Sequence, residues 1–351
     1  MQWYKLIIIV PFLILFSYGS DSQSNKFSEI SANIKLSPTP FLNEFDDGQG
    51  IDIIIIYGQS NAVGRGDFTY ANTTNDYEFS NQKAQRCIIG DQIQFNAECI
   101  IFNSISNPSD LYLRGYYSAW TEFNRYLESI SHREIILINA AWEQTKLKSL
   151  MSGATDILHE NGIKEYENLI YASRKAIDKA GIKNINSVSV FWLQGESDVM
   201  GFEENTISYF NEKFREYFSN LDLLYEDLLR DLGIPKLSFF IIRLGLAEIT
   251  QVDESLNDLL SGLLNDLGFW QIEFCKSNEN FFPLSLHPVT YSLANETLSD
   301  DGIHYTPYGY DLIGRDAAIN FSNYIDKQDI SLTLYQENDN YPPIVVKDQP
   351  F

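Results

Sequence analysis

A serine between two glycines follows the apolar run at residues 51–57. The run IDIIIIY, from Ile51 to Tyr57, is followed by GQSNAVGRGD, in which Ser60 lies between Gly58 and Gly64. Glycines suit a tight turn between a strand and a helix, where a serine exposes its hydroxyl while backbone N–H groups point to the same place. A serine in such a turn is more often a helix cap, so catalysis is predicted only if a base is available to accept its proton.

Of the four histidines, His304 has the best-placed acidic partner. It occurs in SDDGIHYTPYGY, three residues after Asp301. A carboxylate at that spacing reaches the Nδ1–H of the imidazole across a turn and stabilises the imidazolium during proton transfer. Asp300 is the neighbouring alternative, and an Asx-turn holding an ordinary polar histidine is the competing interpretation. The other histidines occur in polar stretches or, for the outside candidate His287, in a proline-flanked loop: His132, His159 and His287.

A second polar cluster ends another apolar run. In FWLQGESD the run stops at Gln194, Gly195 and Glu196. An amide N–H at the end of a strand suits an oxyanion donor, which lowers the barrier of acyl transfer by roughly 3 kcal/mol. The alternative is the start of a helix capped by Ser197 or Asp198.

Strands and helices alternate along the chain, which predicts a parallel sheet with helices on both faces. Four short runs rich in β-branched or aromatic residues predict buried strands: 51–57, EIILINA from Glu134, SVSVFWL from Ser187 and KLSFFIIRL from Lys236. Helical periodicity predicts helices at 165–181, 221–232, 256–267 and 307–324. Ligands bind at the carboxyl ends of parallel strands, where Ser60 and Gln194 are therefore expected to lie.

These elements predict one catalytic domain over residues 40–330, flanked by an extension at 21–39 and a tail at 331–351. Residues 1–20 contain Lys5, an apolar run from Leu6 to Phe16 and small residues after it. This pattern is typical of a secretory signal, because the run is too short to span a bilayer. We therefore expect a secreted or luminal protein with no stable membrane insertion after signal cleavage.

Composition excludes several classes of partner. With 48 acidic and 25 basic side chains, the net charge of −23 argues against binding nucleic acid. Three cysteines allow at most one disulfide bond, with Cys87 and Cys99 the nearer pair in sequence. The chain has no CxxC or HxxxH pattern typical of a metal site, so a structural metal site is not expected.

Three motifs occur in a fixed order: GQSN, WLQGESD and DGIH. Together they resemble the SGNH/GDSL hydrolases, specifically the sialate O-acetylesterase-like (SASA domain) and family 6 carbohydrate esterase group. The resemblance implies a flavodoxin-like three-layer α/β/α fold that removes acetyl groups from sugar hydroxyls without a cofactor. It also implies that Ser60 is the nucleophile, His304 the general base and then acid, and Asp301 the residue that orients His304.

The same resemblance implies where the oxyanion and substrate bind. The backbone N–H of Ser60 is one expected oxyanion donor, and Gln194 or Gly195 supplies another. The remaining residues of these motifs are expected to bind substrate or to order the loops around it: Gln59, Asn61 and Glu196.

One segment departs from the family pattern. Relatives often carry Ala-Trp-Gly-Gly-Thr after the second strand, where a glycine N–H helps to form the oxyanion hole. Here Glu143 and Gln144 replace the two glycines, between Ala141 and Thr145. Their backbone N–H groups can still donate if the turn tolerates side chains, but a carboxylate on Glu143 would oppose the charge on the oxyanion.

The sequence therefore predicts a secreted serine esterase that acts on O-acetylated carbohydrate, either sialate or a plant or microbial polysaccharide. A lipid or other small-ester hydrolase with the same triad is the enzymatic alternative. A glycan-binding protein with weakened catalysis is the alternative from another class, suggested by Glu143 and Gln144.

Overall fold

The computed structural model describes residues 50–66, 85–88, 103–104, 116–131, 133–154, 165–181, 185–249 and 252–326. The predicted signal peptide at 1–20, the extension at 21–39 and the tail at 331–351 lie outside these residues. So do Cys99, His132 and His159, and the side chain of Cys87, so the Cys87–Cys99 pairing stays a prediction. The third cysteine, Cys275, is a buried free thiol.

The described strands form one seven-stranded sheet. In chain order the strands are β1 (Ile51–Gly58), β2 (Gln85–Ile88), β3 (Asn103–Ser104), β4 (Glu134–Asn139), β5 (Ile185–Leu193), β6 (Ser238–Ile242) and β7 (Phe281–Ser285). Their order across the sheet is β3-β2-β4-β1-β5-β6-β7. All neighbouring strands are parallel except the short edge pair β2–β3, which is antiparallel.

The five strands β4-β1-β5-β6-β7 have the flavodoxin-like order 2-1-3-4-5 when they are renumbered along the chain. Strand β1 is central, and the strand order reverses between β1 and β5. Ligands of such sheets bind outside the carboxyl ends of the strands at this reversal. The turn after β1 carries Ser60, and the turn after β5 carries Gln194. The predicted fold class is confirmed.

Seven α-helices are present among the described residues. They are α1 (Ser60–Val63), α2 (Ala119–Ile130), α3 (Glu165–Ala180), α4 (Glu196–Met200), α5 (Ile207–Leu232), α6 (Glu254–Ser277) and α7 (Pro307–Ile325). Short 3-10 helices occupy Leu147–Leu150 and His287–Thr290. No helix in this part of the chain is long and apolar enough to cross a membrane.

Two neighbouring residues of β5 show how the helices cover both faces of the sheet. The ring of Phe191 packs against Trp120 and Phe123 of α2. Trp192 points to the opposite face, where its Nε1 donates to the hydroxyl of Tyr217 on α5. The sheet is therefore buried on both sides, which explains why its central strands are continuously apolar rather than alternating.

The four predicted strands and four predicted helices are all present, but several elements were not predicted. Strand β7 contains Pro283, which lowers the strand signal and is tolerated because β7 lies at the edge of the sheet. Helix α5 begins at Ile207, well before the predicted start at Leu221. Helix α2 and the short strands β2 and β3 were also missed, because their sequences lack a long apolar run.

Candidate active site

Three side chains far apart in sequence form one hydrogen-bonded chain. His304 Nε2 lies 2.9 Å from Ser60 Oγ, and His304 Nδ1 lies 2.6 Å from Asp301 Oδ2. Ser60 comes from the turn after the central strand, whereas the other two residues precede helix α7. The arrangement suits transfer of the serine proton to the imidazole, with the carboxylate stabilising the charge that forms.

A tight turn brings the side chains of Asp301 and His304, three residues apart in the chain, into contact. Oδ1 of Asp301 accepts the backbone N–H groups of Ile303 and His304, each at 2.9 Å, and the hydroxyl of Ser299 at 2.8 Å. Gly302 has φ +72°, and a Cβ there would lie 1.8 Å from Glu248 O. The turn from Asp301 to His304 therefore requires glycine at its second position, and it leaves Oδ2 of Asp301 for the imidazole.

The environment of Asp301 favours its charged form. Burial by itself would raise the pKa of this carboxyl. The hydrogen bond and positive charge of His304, with the two backbone N–H bonds, more than offset that effect and lower the pKa of Asp301 below its usual value. The carboxylate is thus held ionised where an imidazolium would need it.

The turn that carries Ser60 is pressed against the neighbouring strand β5. Gly58 has φ +140°, and a Cβ on it would lie 2.1 Å from the carbonyl oxygen of Leu193. Gln59 N–H then donates to that same oxygen at 3.1 Å. Ser60 begins the four-residue helix α1, so its N–H has no acceptor one turn back within the helix and is available to an oxyanion.

Gln59 and Gln194 tie the first and fifth strand ends together instead of lining an open pocket. Both side chains are buried. Gln194 Nε2 donates to Gln59 Oε1 at 3.3 Å, to the Thr145 carbonyl at 3.0 Å and to Asp198 Oδ2. Gln59 Oε1 also accepts the N–H of Ser197 at 3.1 Å. These contacts leave the backbone of Gly195, which has φ +143°, as the part of this loop open to an oxyanion role.

Asn61 and Glu196 form a second buried network beside the triad. Asn61 Nδ2 donates to Glu196 Oε1 at 2.7 Å and to the carbonyl of Ile303 at 3.2 Å. The hydroxyl of Tyr310 donates to Asn61 Oδ1 at 3.0 Å. Asn61 therefore connects the Ser60 turn to the loop that carries His304.

The carboxyl group of Glu196 is costly to ionise at this position. Burial raises the pKa of Glu196, although the Asn61 hydrogen bond and the nearby His304 act in the opposite direction. Its second oxygen, Oε2, is buried without a hydrogen-bond partner among the described residues. This geometry suits a residue that orders the loops more than one that attacks a substrate.

Glu143 and Gln144 lie beside the Ser60 turn, as their position after β4 predicts. The preceding N–H, from Trp142, donates to Gly58 O at 2.9 Å. Gln144 has φ +57°, the left-handed region that favours glycine, so the turn tolerates a side chain at a cost of about 1 kcal/mol. The carboxylate of Glu143 binds the guanidinium of Arg65, so its charge is partly neutralised.

Sequence reasoning missed two residues of the site and left one candidate open. Tyr310 accepts the backbone N–H of Arg65 at 3.0 Å and is buried, yet its only sequence signal is its position six residues after His304. Arg65 stands inside the first motif and was overlooked as a partner of Glu143. The outside candidate His287 lies in a 3-10 helix, and burial lowers its pKa.

The strand order, with Ser60 on the turn after β1 and His304 before the last helix, defines an SGNH-type hydrolase. Residues 50–267, more than half of the chain, match the family model described as carbohydrate esterase, sialic acid-specific acetylesterase. The chain belongs to this family and is a carboxylic ester hydrolase. The match contains Ser60 and Gln194 but ends before Asp301 and His304, which only the fold brings to the serine.

Several solved structures are similar to this chain at low sequence identity. A protein from Arabidopsis thaliana is 17% identical, with a TM-score of 0.52, and the alignment covers 79% of this chain and 99% of that one. A carbohydrate acetylesterase from Xanthomonas citri is 13% identical over 79% of this chain and 56% of its own, with a TM-score of 0.47. An acetylxylan esterase from Geobacillus stearothermophilus is 14% identical over 80% of this chain and 95% of its own, with a TM-score of 0.41. A search of curated protein sequences found no significant match.

Among the described residues, no group of three or more histidine, cysteine, aspartate or glutamate side chains is placed to hold a metal ion.

Proposed function

We propose that this protein is a serine esterase that removes O-acetyl groups from carbohydrates through an acyl-enzyme on Ser60. The observation that carries the proposal is the hydrogen-bonded chain from Ser60 through His304 to Asp301, in a chain of a carbohydrate esterase family. A serine hydroxyl is a weak nucleophile until a base accepts its proton, and His304 Nε2 lies within hydrogen-bond distance of it.

In the first half-reaction, Ser60 Oγ attacks the acetyl carbonyl carbon while His304 takes the serine proton. The carbonyl oxygen becomes an oxyanion, which the N–H of Ser60 stabilises together with an N–H from the turn at Glu143 and Gln144 or from Gly195. The bond between the carbonyl carbon and the sugar oxygen then breaks. His304 returns the proton to that oxygen, and the sugar leaves with a free hydroxyl.

In the second half-reaction, His304 removes a proton from water, and the resulting oxygen attacks the acetyl group on Ser60. Collapse of this second tetrahedral intermediate releases acetate and restores the serine hydroxyl. Throughout the cycle Asp301 keeps Nδ1 of His304 protonated, so that Nε2 is the nitrogen that accepts the proton and later returns it.

Comparison of three alanine variants tests the triad. We expect Ser60→Ala and His304→Ala to lower the rate of p-nitrophenyl acetate hydrolysis by at least about 10³-fold, because each removes a group that acts in both half-reactions. The matched control His287→Ala, which removes a histidine outside the triad, should stay within about threefold of the wild type. Melting temperatures establish that each variant is folded.

The same assay separates the alternatives. Release of acetate from acetylated sugars, with little hydrolysis of p-nitrophenyl octanoate, supports the carbohydrate esterase. A preference for the octanoate supports a lipid esterase with the same triad. If Ser60→Ala keeps the wild-type rate, or the wild type is inactive toward every ester, the triad assignment is wrong and the glycan-binding alternative gains support.

We also propose that the protein is exported. The support is the sequence of residues 1–20, in which Lys5 precedes an apolar run too short to span a bilayer. An enzyme that acts on acetylated polysaccharide would meet its substrate outside the cytoplasm.

A further inference from the structure

We propose that the Glu143–Arg65 ion pair makes this site select neutral acetylated sugars over sugars that carry a carboxylate. The inference rests on the proposed esterase function and specifies its substrate class. It concerns Glu143, in the turn after β4, and Arg65, which follows helix α1.

The ion pair lies beside the nucleophile because both of its residues follow neighbouring strand ends. Glu143 comes one residue after Trp142, whose N–H binds the carbonyl of Gly58 in the Ser60 turn. Arg65 comes just after helix α1, and its N–H donates to Tyr310, which in turn donates to Asn61. These contacts tie both residues to the Ser60 turn, and we infer that a sugar whose acetyl group reaches Ser60 binds next to the pair.

The guanidinium of Arg65 is held in place from two directions. Its Nη2 binds Glu143 Oε2, and its central carbon lies 5.1 Å from the centroid of the Tyr116 ring, a cation–π distance. The side chains of Arg65 and Glu143 are 27% and 16% exposed. The pair is thus ordered by the protein but still open to a bound ligand.

A guanidinium beside an active site would by itself attract a substrate carboxylate, because its fork of N–H donors matches the two carboxylate oxygens. Here Glu143 Oε2 already binds Nη2, one of the donors of that fork. A substrate carboxylate that approached Arg65 would either compete with Glu143 or lie next to its negative charge. A neutral sugar meets neither obstacle, so the pair discriminates by repelling the wrong substrate.

The other charges of the molecule also disfavour substrates that carry a carboxylate. Within the triad Asp301 adds another carboxylate, and the whole chain carries a net charge of −23. This field lowers the local concentration of anionic substrates, and it weakens as salt is added.

Two substrates that differ at one carbon test the inference: methyl 2-O-acetyl-glucoside and methyl 2-O-acetyl-glucuronoside. Both present the same acetyl ester, and only the second carries a carboxylate. The measured quantity is the ratio of kcat/KM for the neutral sugar to kcat/KM for the acidic sugar at constant ionic strength. We expect a wild-type ratio of about 10 or more, which falls as salt rises.

Glu143→Gln keeps the backbone and the size of the side chain but removes the negative charge that pairs with the guanidinium of Arg65. We expect it to lower the ratio about tenfold, mainly by lowering KM for the acidic sugar. Arg65→Met should raise the ratio, because it leaves the Glu143 carboxylate without its counter-charge. The matched control is Glu134→Gln, at the opposite end of strand β4 and roughly 20 Å away along the strand. That distance exceeds the screening length of about 8 Å at physiological salt, so its ratio should equal that of the wild type.

The outcomes separate this inference from the function on which it rests. A wild-type ratio near 1, or a Glu143→Gln ratio equal to that of Glu134→Gln, overturns the selectivity while leaving the esterase intact. If p-nitrophenyl acetate is hydrolysed but neither sugar is, the esterase activity stands, whereas the selectivity and the action on these sugars are both overturned. A wild type that hydrolyses none of the three esters overturns the proposed function, and the inference falls with it.

Discussion

The two oxygens of Asp301 have different partners, and this division explains why an aspartate is required there. Oδ1 binds the N–H groups and the hydroxyl that shape the turn, while Oδ2 binds Nδ1 of His304. The lowered pKa of Asp301 means that this carboxylate stays charged well below neutral pH. Any fall in activity on mild acidification must therefore come from another group.

Asp301→Asn tests the hydrogen bond between Asp301 Oδ2 and His304 Nδ1, because it replaces one carboxylate oxygen with an NH₂ group. The new amide oxygen can keep the bonds of the turn, but its NH₂ group would meet His304 Nδ1 as a donor. His304 would then carry its proton on Nε2 and could not accept one from Ser60, so we expect kcat/KM for p-nitrophenyl acetate to fall roughly 10³- to 10⁴-fold.

The control for this variant is Asp300→Asn, which makes the same charge change at the adjacent exposed residue. It should retain activity within about threefold of the wild type. Equal losses in both variants would show that charge in the loop, and not the hydrogen bond to His304, determines the rate.

The conformation of the turn between β1 and α1 is determined by its contact with β5. Gly58 pairs with Leu193 across the two strands, and its Cα faces the Leu193 carbonyl so closely that no side chain fits. The positive φ of Gly58 turns the chain sharply and places Ser60 at the edge of the sheet.

Gly58→Ala should destabilise the protein by at least about 3 kcal/mol, since the new Cβ meets backbone atoms that cannot move separately from the sheet. Gly153→Ala is the matched control, because Gly153 also has positive φ, at +73°, but a Cβ there meets nothing within 4 Å. We expect that variant to lose only about 1 kcal/mol. Urea unfolding measures both, and similar losses would mean that backbone strain, not the close approach to β5, dominates at Gly58.

The first 20 residues of the chain are predicted to direct its export and then to be removed. When the full chain is produced in a secreting host, we expect the exported protein to begin near residue 21. Ile9→Arg puts a charge inside the apolar run and should retain the protein in the cell. Ser24→Arg adds the same charge after the run and should leave export intact. Cell fractionation and N-terminal sequencing measure both effects, and export of Ile9→Arg at the wild-type level would contradict a signal function.

The fold class could be predicted from the sequence, and so could the three residues that the structure brings into one hydrogen-bonded chain. Continuous β-branched runs such as IDIIIIY predict buried parallel strands wherever they stand, because burial on both faces leaves no polar alternation. Ser60 and the pair Asp301 and His304 were recognisable because each lies in a short motif whose local geometry suits its task. Such signals are local, and a single sequence contains them in full.

The contacts of other residues around the site are visible only in the tertiary structure. Asn61 and Glu196 are 135 residues apart in the chain, yet they share a buried hydrogen bond. Arg65 and Glu143, 78 residues apart, form an ion pair. Pro283 lies in a strand because that strand is at the sheet edge, where its missing N–H costs little. These contacts depend on which strands are neighbours in the sheet. The strand order is determined by packing across the whole core, and no local sequence pattern predicts it.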